Sequence, residues 1–349
     1  MVRMFREISL PTRIKITNGT LFDELSKTLD KYGDGGIHLF ITTKHLYGLY
    51  FKDLHLNRKI KVLFARESSI GEASLLYEKY LKDTDVVTII GAGGGKIIDI
   101  AKYLAFLKAV PMISVPTTLS NDGICSVISV LTDQEGKKRS LRSAMPSAVL
   151  ADLQIIKRSP IKYIIAGIGD LIAKISALKD WKLAYVEKGE KFDELAYMFS
   201  YVSSSNLLRK LILEVSGIKD VTKDEFLEEL FYGLVFAGMS MYLAGSSRPA
   251  SGAEHMISHA IDYLYPSKSC LHGFQVAYGT LIAEKIRGEK IDYLIDIFRK
   301  VNLPTSYRDL KLSRDEIINA IIYAPNTRKR YTILNKAKLS REIVEKVLL

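Results

Sequence analysis

The chain has 349 residues, 48% of them hydrophobic and 26% charged, a balance that fits about two globular domains and excludes a disordered or fibrous protein. Its two cysteines, Cys125 and Cys270, form no CxxC spacing, which excludes a disulfide framework and a cysteine-rich zinc module and leaves histidines and carboxylates as metal ligands. The formal charge of +11 comes from Lys and Arg spread along the chain rather than from a dense basic tract, so no nucleic-acid partner is expected; a diffuse field that attracts small anions accounts for it.

The opening stretch MVRMFREISLPTRIKI mixes charge into its apolar positions and lacks the unbroken apolar segment of a signal peptide. No later stretch reaches the roughly 20 uninterrupted apolar residues of a membrane span. A cytoplasmic protein with no integral membrane segment is expected. Apolar runs then predict strands at 37–42 (IHLFIT), 59–65 (KIKVLFA), 85–91 (DVVTIIG) and 111–117 (PMISVPT). Between them, segments such as SIGEASLLYEKYL and KIIDIAKYLAFL repeat apolar residues at three and four, the pattern of crossover helices. The first half reads as an α/β, Rossmann-like domain.

At the end of the third predicted strand stand Gly91, Gly93, Gly94 and Gly95, followed by a helix. Glycines there let backbone N–H groups approach a phosphate at a helix N-terminus. The dinucleotide GxGxxG fails because Lys96 occupies a glycine position, and the P-loop fails because Ile97 stands where a hydroxyl is needed. Four glycines in five positions have no evident structural need, so phosphate binding is the favoured reading. The next strand leads into SVPTTLSNDGICS, where Thr117, Thr118, Ser120, Asp122 and Ser126 crowd a loop at a strand's carboxyl end and would form a second wall of a nucleotide crevice.

From about residue 160 long helical periodicities take over, which places a nucleotide-binding domain at 1–158 and an all-α domain at 159–349. Ser159 and Pro160 mark a helix start, Gly167 and Gly169 loosen the chain, and Asp170 follows at a helix start as a ligand-like acid or a simple first-turn acid. In SGAEHMISHAID, His255 and His259 are four apart and share one helix face, as half of a metal site or as an ordinary buried face. His272 follows closely; three histidines in one short span, with a carboxylate, suit a catalytic zinc with an open position. HExxH and GxSxG are both absent, which argues against a metalloprotease and a serine hydrolase. Cys270 reads as inert packing.

Taken together, GAGGGKIIDIAKY, PMISVPTTLSNDG, AGIGDLIAKISALKDWKLA, SRPASGAEHMISHAID and LHGFQVAYGT resemble the archaeal sn-glycerol-1-phosphate dehydrogenases, within the glycerol dehydrogenase and dehydroquinate synthase-like superfamily. The resemblance runs from about residue 10 to Tyr331. It implies a dehydroquinate synthase-like fold and NADH- or NADPH-dependent, zinc-dependent reduction of dihydroxyacetone phosphate to sn-glycerol 1-phosphate, the backbone of archaeal ether lipids. By position it implies one Zn2+ on Asp170, His255 and His272, and substrate contacts from Asp122, Asp170 and His259, with Asp122 and His259 catalytic. Cofactor contacts fall on Gly93, Gly94, Gly95, Lys96, Ile97, Ile98 and Asp99, on Thr117, Thr118, Leu119 and Ser120, and on Ser126. A homo-oligomer is expected.

Thr42, Thr43 and Lys44, after the first predicted strand, put no acid where an adenosine ribose would need one, which leaves room for NADPH. Arg248 and Arg330 are candidates for the substrate phosphate. The nearest rival is a glycerol dehydrogenase acting on unphosphorylated glycerol or dihydroxyacetone. A dehydroquinate synthase-like lyase fits less well, since those enzymes are similar in having a glutamate where Asp170 stands. A nucleic-acid-binding protein with steep salt dependence is the non-enzymatic alternative.

Overall fold

The structure, a computed structural model, describes residues 8–33 and 35–349. In the first unit, short β-rich runs form six parallel strands, β1 (Arg13–Thr17), β2 (Ile37–Thr42), β3 (Ile60–Phe64), β4 (Val86–Gly93), β5 (Met112–Pro116) and, after a hairpin of β6 (Ile128–Thr132) and β7 (Lys138–Arg142), β8 (Ala148–Asp152). The sheet order is β1-β8-β5-β4-β2-β3, so β4 and β5 are neighbours inside the sheet and Gly93 pairs with Pro116. Burial on both faces explains why β2, β5 and β8 are nearly continuous apolar runs rather than alternating ones.

The four predicted strands are all present. Because β1 precedes them, the glycine turn follows the fourth strand in chain order, not the third. RIKIT was missed because Arg13 and Lys15 break its apolar run; these are edge-strand residues, where charge blocks further pairing. The first unit also holds α1 (Leu21–Leu29), the one-turn α2 (Lys44–Leu46), α3 (Ile70–Tyr80) and α4 (Gly95–Lys108).

The second unit is helical, with α5 (Leu153–Arg158), α6 (Ile161–Lys188), α7 (Glu194–Leu213), α8 (Asp224–Ala244), α9 (Ala253–Leu264), α10 (His272–Ile286), α11 (Asp292–Lys300), α12 (Arg314–Tyr323), α13 (Ile333–Lys336) and α14 (Arg341–Val347). Compactness divides the chain into 1–117 with 125–152 on one side and 118–124 with 153–349 on the other. The short segment 118–124 therefore packs as part of the helical unit, although it follows β5 directly. Among the described residues one helix, α8, is long and apolar enough to cross a membrane, yet 72% of that window is buried inside the structure, as for a core helix.

Gly167 and Gly169 do not loosen the chain as the sequence suggested, and Asp170 is not at a helix start. Helix α6 runs unbroken from Ile161 to Lys188 with Asp170 in its interior. The glycines serve close packing instead. A Cβ at Gly167 would lie 1.9 Å from the Leu119 carbonyl oxygen, and one at Gly169 would lie 2.4 Å from that of Gly273. Reciprocally, a Cβ at Gly273 would meet the Ala166 oxygen at 1.8 Å, and one at Gly279 the Glu254 oxygen at 2.8 Å. Helix α10 thus presses against α6 near its start and against α9 further on. Asp170, His255 and His272 come together through these contacts.

Candidate active site and metal centre

Helix α6 carries Asp170 with its two oxygens facing different neighbours. Oδ2 accepts the Asp122 backbone N–H at 3.0 Å and the Lys174 ammonium at 3.1 Å. Oδ1 faces two imidazoles, 3.9 Å from His255 Nε2 and 3.8 Å from His272 Nε2. One ligand atom from each of the three residues lies within 4.8 Å of the others, and among the described residues no other group of three meets this test. Ligands about 2.0–2.1 Å from a tetrahedral zinc stand about 3.4 Å apart, so Asp170 Oδ1 needs to close by only a few tenths of an ångström on each imidazole.

Both rings are turned by hydrogen bonds at their other nitrogen. His255 Nδ1 meets Glu254 Oε1 at 2.8 Å, and His272 Nδ1 meets the Ser258 hydroxyl at 3.2 Å. Ser258 donates onward to Gln275 Oε1 at 2.8 Å, which fixes its lone pair toward a His272 Nδ1–H. With Nδ1 protonated in each ring, Nε2 is the nitrogen with a lone pair directed at Asp170, the tautomer a metal requires. Burial pushes His255 well below its ordinary value, helped by the nearby His272, Lys174, Arg328 and Arg330, so the ring is neutral at neutral pH. The chemistry and placement of the donors fit zinc.

Lys174, one turn beyond Asp170 on α6, is fully buried and also contacts Asp122 Oδ2 at 2.7 Å. Burial pulls the ammonium down, but Asp122 and Asp170 outweigh it and the net shift is upward, so Lys174 stays charged. An unpaired buried ammonium would cost several kcal/mol, which these two carboxylates offset. Burial raises Asp122, with Lys174 opposing and Asp170 reinforcing the shift. Sequence reading missed Lys174. The available signal was the Asp170 and Lys174 spacing of four inside a helix, which puts them on one face. His259, one turn after His255, is part-buried with its ring centroid 6.5 Å from that of His272. It faces the same side as His255 but lies outside the three-donor group. Cys270 is exposed, and Arg248 is bound to Glu190 and to the Tyr331 carbonyl.

In the first unit, Gly93 closes β4 and Gly94 caps α4, so 93–99 forms a strand-to-helix turn. Part of the glycine content does have a structural cause: a Cβ at Gly91 would lie 2.5 Å from that of Ala101, and one at Gly93 would lie 2.8 Å from that of Ile97. Ile97 and Ile98 bury their side chains, and both amides donate to the Gly94 carbonyl, whereas Lys96 is exposed. Thr117 donates its N–H to the Gly93 oxygen, which fastens it beside the turn. Asp99 and Ser126 share one partner, the buried Lys102, at 2.9 and 3.1 Å. Thr118, Leu119 and Ser120 belong to the helical unit's packing, with Leu119 fully buried there. Lys44 is exposed at the end of β2, where Thr43 caps the next turn.

Residues 16–160 match the family model described as iron-containing alcohol dehydrogenase. A glycerol-1-phosphate dehydrogenase, NAD(P)+, of Hyperthermus butylicus is 36% identical over 99% of this chain and 98% of its own length. Its namesake in Thermococcus kodakarensis is 40% identical over 80% of this chain and 78% of its own. Among solved structures, a probable glycerol dehydrogenase from Sinorhizobium meliloti 1021 superposes with a TM-score of 0.80 at 20% identity, covering 98% of this chain and 97% of that one. Sulfoacetaldehyde reductase of Bifidobacterium kashiwanohense, solved in complex with NAD+, gives 0.73 at 16%, covering 98% and 97%. At such identities these two speak to the fold alone.

Proposed function

This chain belongs to the NAD(P)+-linked glycerol-1-phosphate dehydrogenase family, and from that premise we propose that it reduces dihydroxyacetone phosphate to sn-glycerol 1-phosphate with NADH or NADPH. The observation that carries the reading is 36% identity, over nearly the whole of both chains, to a protein named for this activity. The reaction consumes one hydride and one proton per carbonyl and supplies the glycerol phosphate backbone for archaeal ether lipids.

Asp170, His255 and His272 would hold zinc. When bound, zinc supplies Lewis acidity at the carbonyl oxygen and the nicotinamide supplies the hydride. The chain's own residues do the rest. Glu254 and Ser258 hold the two imidazoles in the tautomer that offers Nε2. Lys174 fixes the Asp122 and Asp170 carboxylates relative to each other, which leaves Asp122 to orient a substrate hydroxyl. His259 takes the substrate side of the α9 face and serves the proton balance of the new hydroxyl. The turn at 93–96, with Thr117 beside it, takes the cofactor's pyrophosphate.

The test is steady-state oxidation of NADH and NADPH at 340 nm with dihydroxyacetone phosphate and with dihydroxyacetone, alongside metal analysis and stereochemical assignment of the product. Preference for the phosphorylated ketone and an sn-1 product are expected. Equal kcat/KM for the two ketones would return the chain to an unphosphorylated-glycerol enzyme.

A further inference from the structure

The helical unit holds a second concentration of charge that the steps above do not use. After α12 the chain lines a cavity of about 370 Å³ with Asn326, Arg328, Lys329, Arg330 and Asn335 among its walls and no carboxylate in the lining. Arg328 and Arg330 converge on one hydroxyl, Ser247 Oγ, at 3.3 and 2.9 Å. Arg330 also donates to the Ser251 carbonyl, so both of its partners are neutral oxygens. The other deeply placed guanidiniums are treated differently: Arg248 is paired with Glu190, and Arg287 with Asp180 and Glu284. A desolvated guanidinium hydrogen-bonded only to neutral acceptors is incompletely compensated, since Glu254 and Glu190 act on Arg330 through space without pairing with it. Burial, then the adjacent Arg328 and Arg248, push Arg330 down to about 9, which leaves it cationic at neutral pH in a field that favours an incoming anion.

Two further observations concern the groups that flank Arg330. Ser251 is 95% buried and its hydroxyl has no hydrogen-bond partner, although the carbonyl of the same residue is taken by Arg330. Ser251 lies just before α9, whose first turn carries His255, so Arg330, which donates to the Ser251 carbonyl, stands at the helix end that holds one of the three donors. At the start of α9 two amides are already engaged, Ala253 N–H by Asp180 at 2.7 Å and Gly252 N–H by Glu254. The cationic wall supplies anion affinity at this helix end.

We propose that Arg330, with Arg328 and the Ser251 hydroxyl, seats the phosphate of a small phosphomonoester whose reacting carbon lies at the Asp170, His255 and His272 cluster. The proposal rests on the reading of the chain as a dehydrogenase of a phosphorylated ketone, and it separates the two arginines named from the sequence: Arg330 faces the ligand, whereas Arg248 is held by Glu190. A guanidinium reads a phosphate through paired N–H donors, so lysine is not an equivalent replacement.

The experiment compares zinc-loaded wild type with Arg330→Gln, Arg330→Lys and Arg328→Gln. Expected for Arg330→Gln is a rise in KM for dihydroxyacetone phosphate of roughly 10- to 150-fold, the range for one charge-assisted hydrogen-bond partner. The ratio of kcat/KM for dihydroxyacetone phosphate to that for dihydroxyacetone falls with it, competitive inhibition by inorganic phosphate weakens in parallel, and zinc content is unchanged. Arg328→Gln moves the same quantities in the same direction, which guards against a folding failure in one variant. An unchanged substrate ratio, or an effect confined to the KM for NADPH, would overturn the assignment, the latter by giving the cavity to the cofactor. Should wild type fail to reduce the phosphorylated ketone, the function proposed above falls separately; thermal protection of wild type but not Arg330→Gln by inorganic phosphate still tests the seat, and equal protection of both removes it.

Discussion

The glycine turn of the first unit and the donor cluster of the second are built over very different lengths of chain. Residues 91–99 are consecutive, and their geometry follows from one strand ending and one helix starting. Asp170, His255 and His272 stand on α6, α9 and α10, and they meet because Gly169, Gly273 and Gly279 let those helices approach to backbone contact. A site of the first kind is encoded locally, and a point change inside it is felt locally. A site of the second kind can be damaged from either end of any helix that carries it.

The sharpest break of that comparison separates the two histidines of α9. His255→Ala is expected to lose zinc and at least about 10³-fold in kcat/KM, because a donor and several kcal/mol of electrophilic assistance go together. His259→Ala is expected to keep zinc and lose about 10²- to 10⁴-fold, the range for proton transfer by a positioned group. Metal analysis of both variants decides the matter: equal zinc loss would make His259 a ligand and undo the division.

Next in size is the support behind the donors. Glu254→Gln removes the charge that orients His255 and should weaken zinc affinity by about 10- to 100-fold in a chelator competition, with secondary structure unchanged. No change in affinity would mean that packing of α9 alone aims the ring.

Glycine substitutions then weigh the two kinds of assembly against each other. Gly167→Ala drives a methyl into a backbone oxygen at 1.9 Å, where nothing flexible can yield, and is expected to lower stability by about 1–3 kcal/mol or more in denaturant unfolding. Gly91→Ala meets the Ala101 methyl at 2.5 Å and the end of the Met112 side chain at 2.9 Å, side-chain carbons rather than a backbone oxygen, and should lose less. The opposite ranking would show that the local turn, not the packing of residue 119 on α6, is the less tolerant of the two.

What could be read from the sequence follows the same division. The strands at 37–42, 85–91 and 111–117 were legible because burial on both faces leaves continuous apolar runs, the edge strand at 59–65 from its Val62, Leu63 and Phe64, and the change to long helices from period. Strand β1 was not, since an edge strand tolerates Arg13 and Lys15. The role of Gly167 and Gly169 was misread because a glycine that breaks a helix and one that admits a neighbouring helix look alike in one dimension; only the Gly273 oxygen at 2.4 Å from a Cβ on Gly169 distinguishes them. Lys174 escaped notice for a related reason, as its meaning depends on Asp122 arriving from 48 residues before Asp170.

The smallest expected effect comes from a purely local site placed inside the helical unit. The Asp220 carboxylate accepts N–H groups from Ser216 at 2.8 Å and Gly217 at 3.2 Å and pairs with Lys223 at 2.7 Å, each within four residues of it. The Lys223 hydrogen bond, with those two amides, holds it at about 2 against an ordinary 3.8. A carboxylate lowered in the folded state binds fewer protons there than in the unfolded chain, so its stabilisation is complete above about pH 4 and fades as the pH falls toward 2. Asp220→Asn should therefore lower Tm slightly at pH 6, and the gap to wild type should close on acidification, with zinc content untouched throughout. A gap that persists at pH 2 would mean that Asp220 acts through backbone geometry rather than through its charge. A loss of zinc would mean that even this short-range contact reaches the assembled site, and the contrast between local and assembled construction would then hold less far than the distances imply.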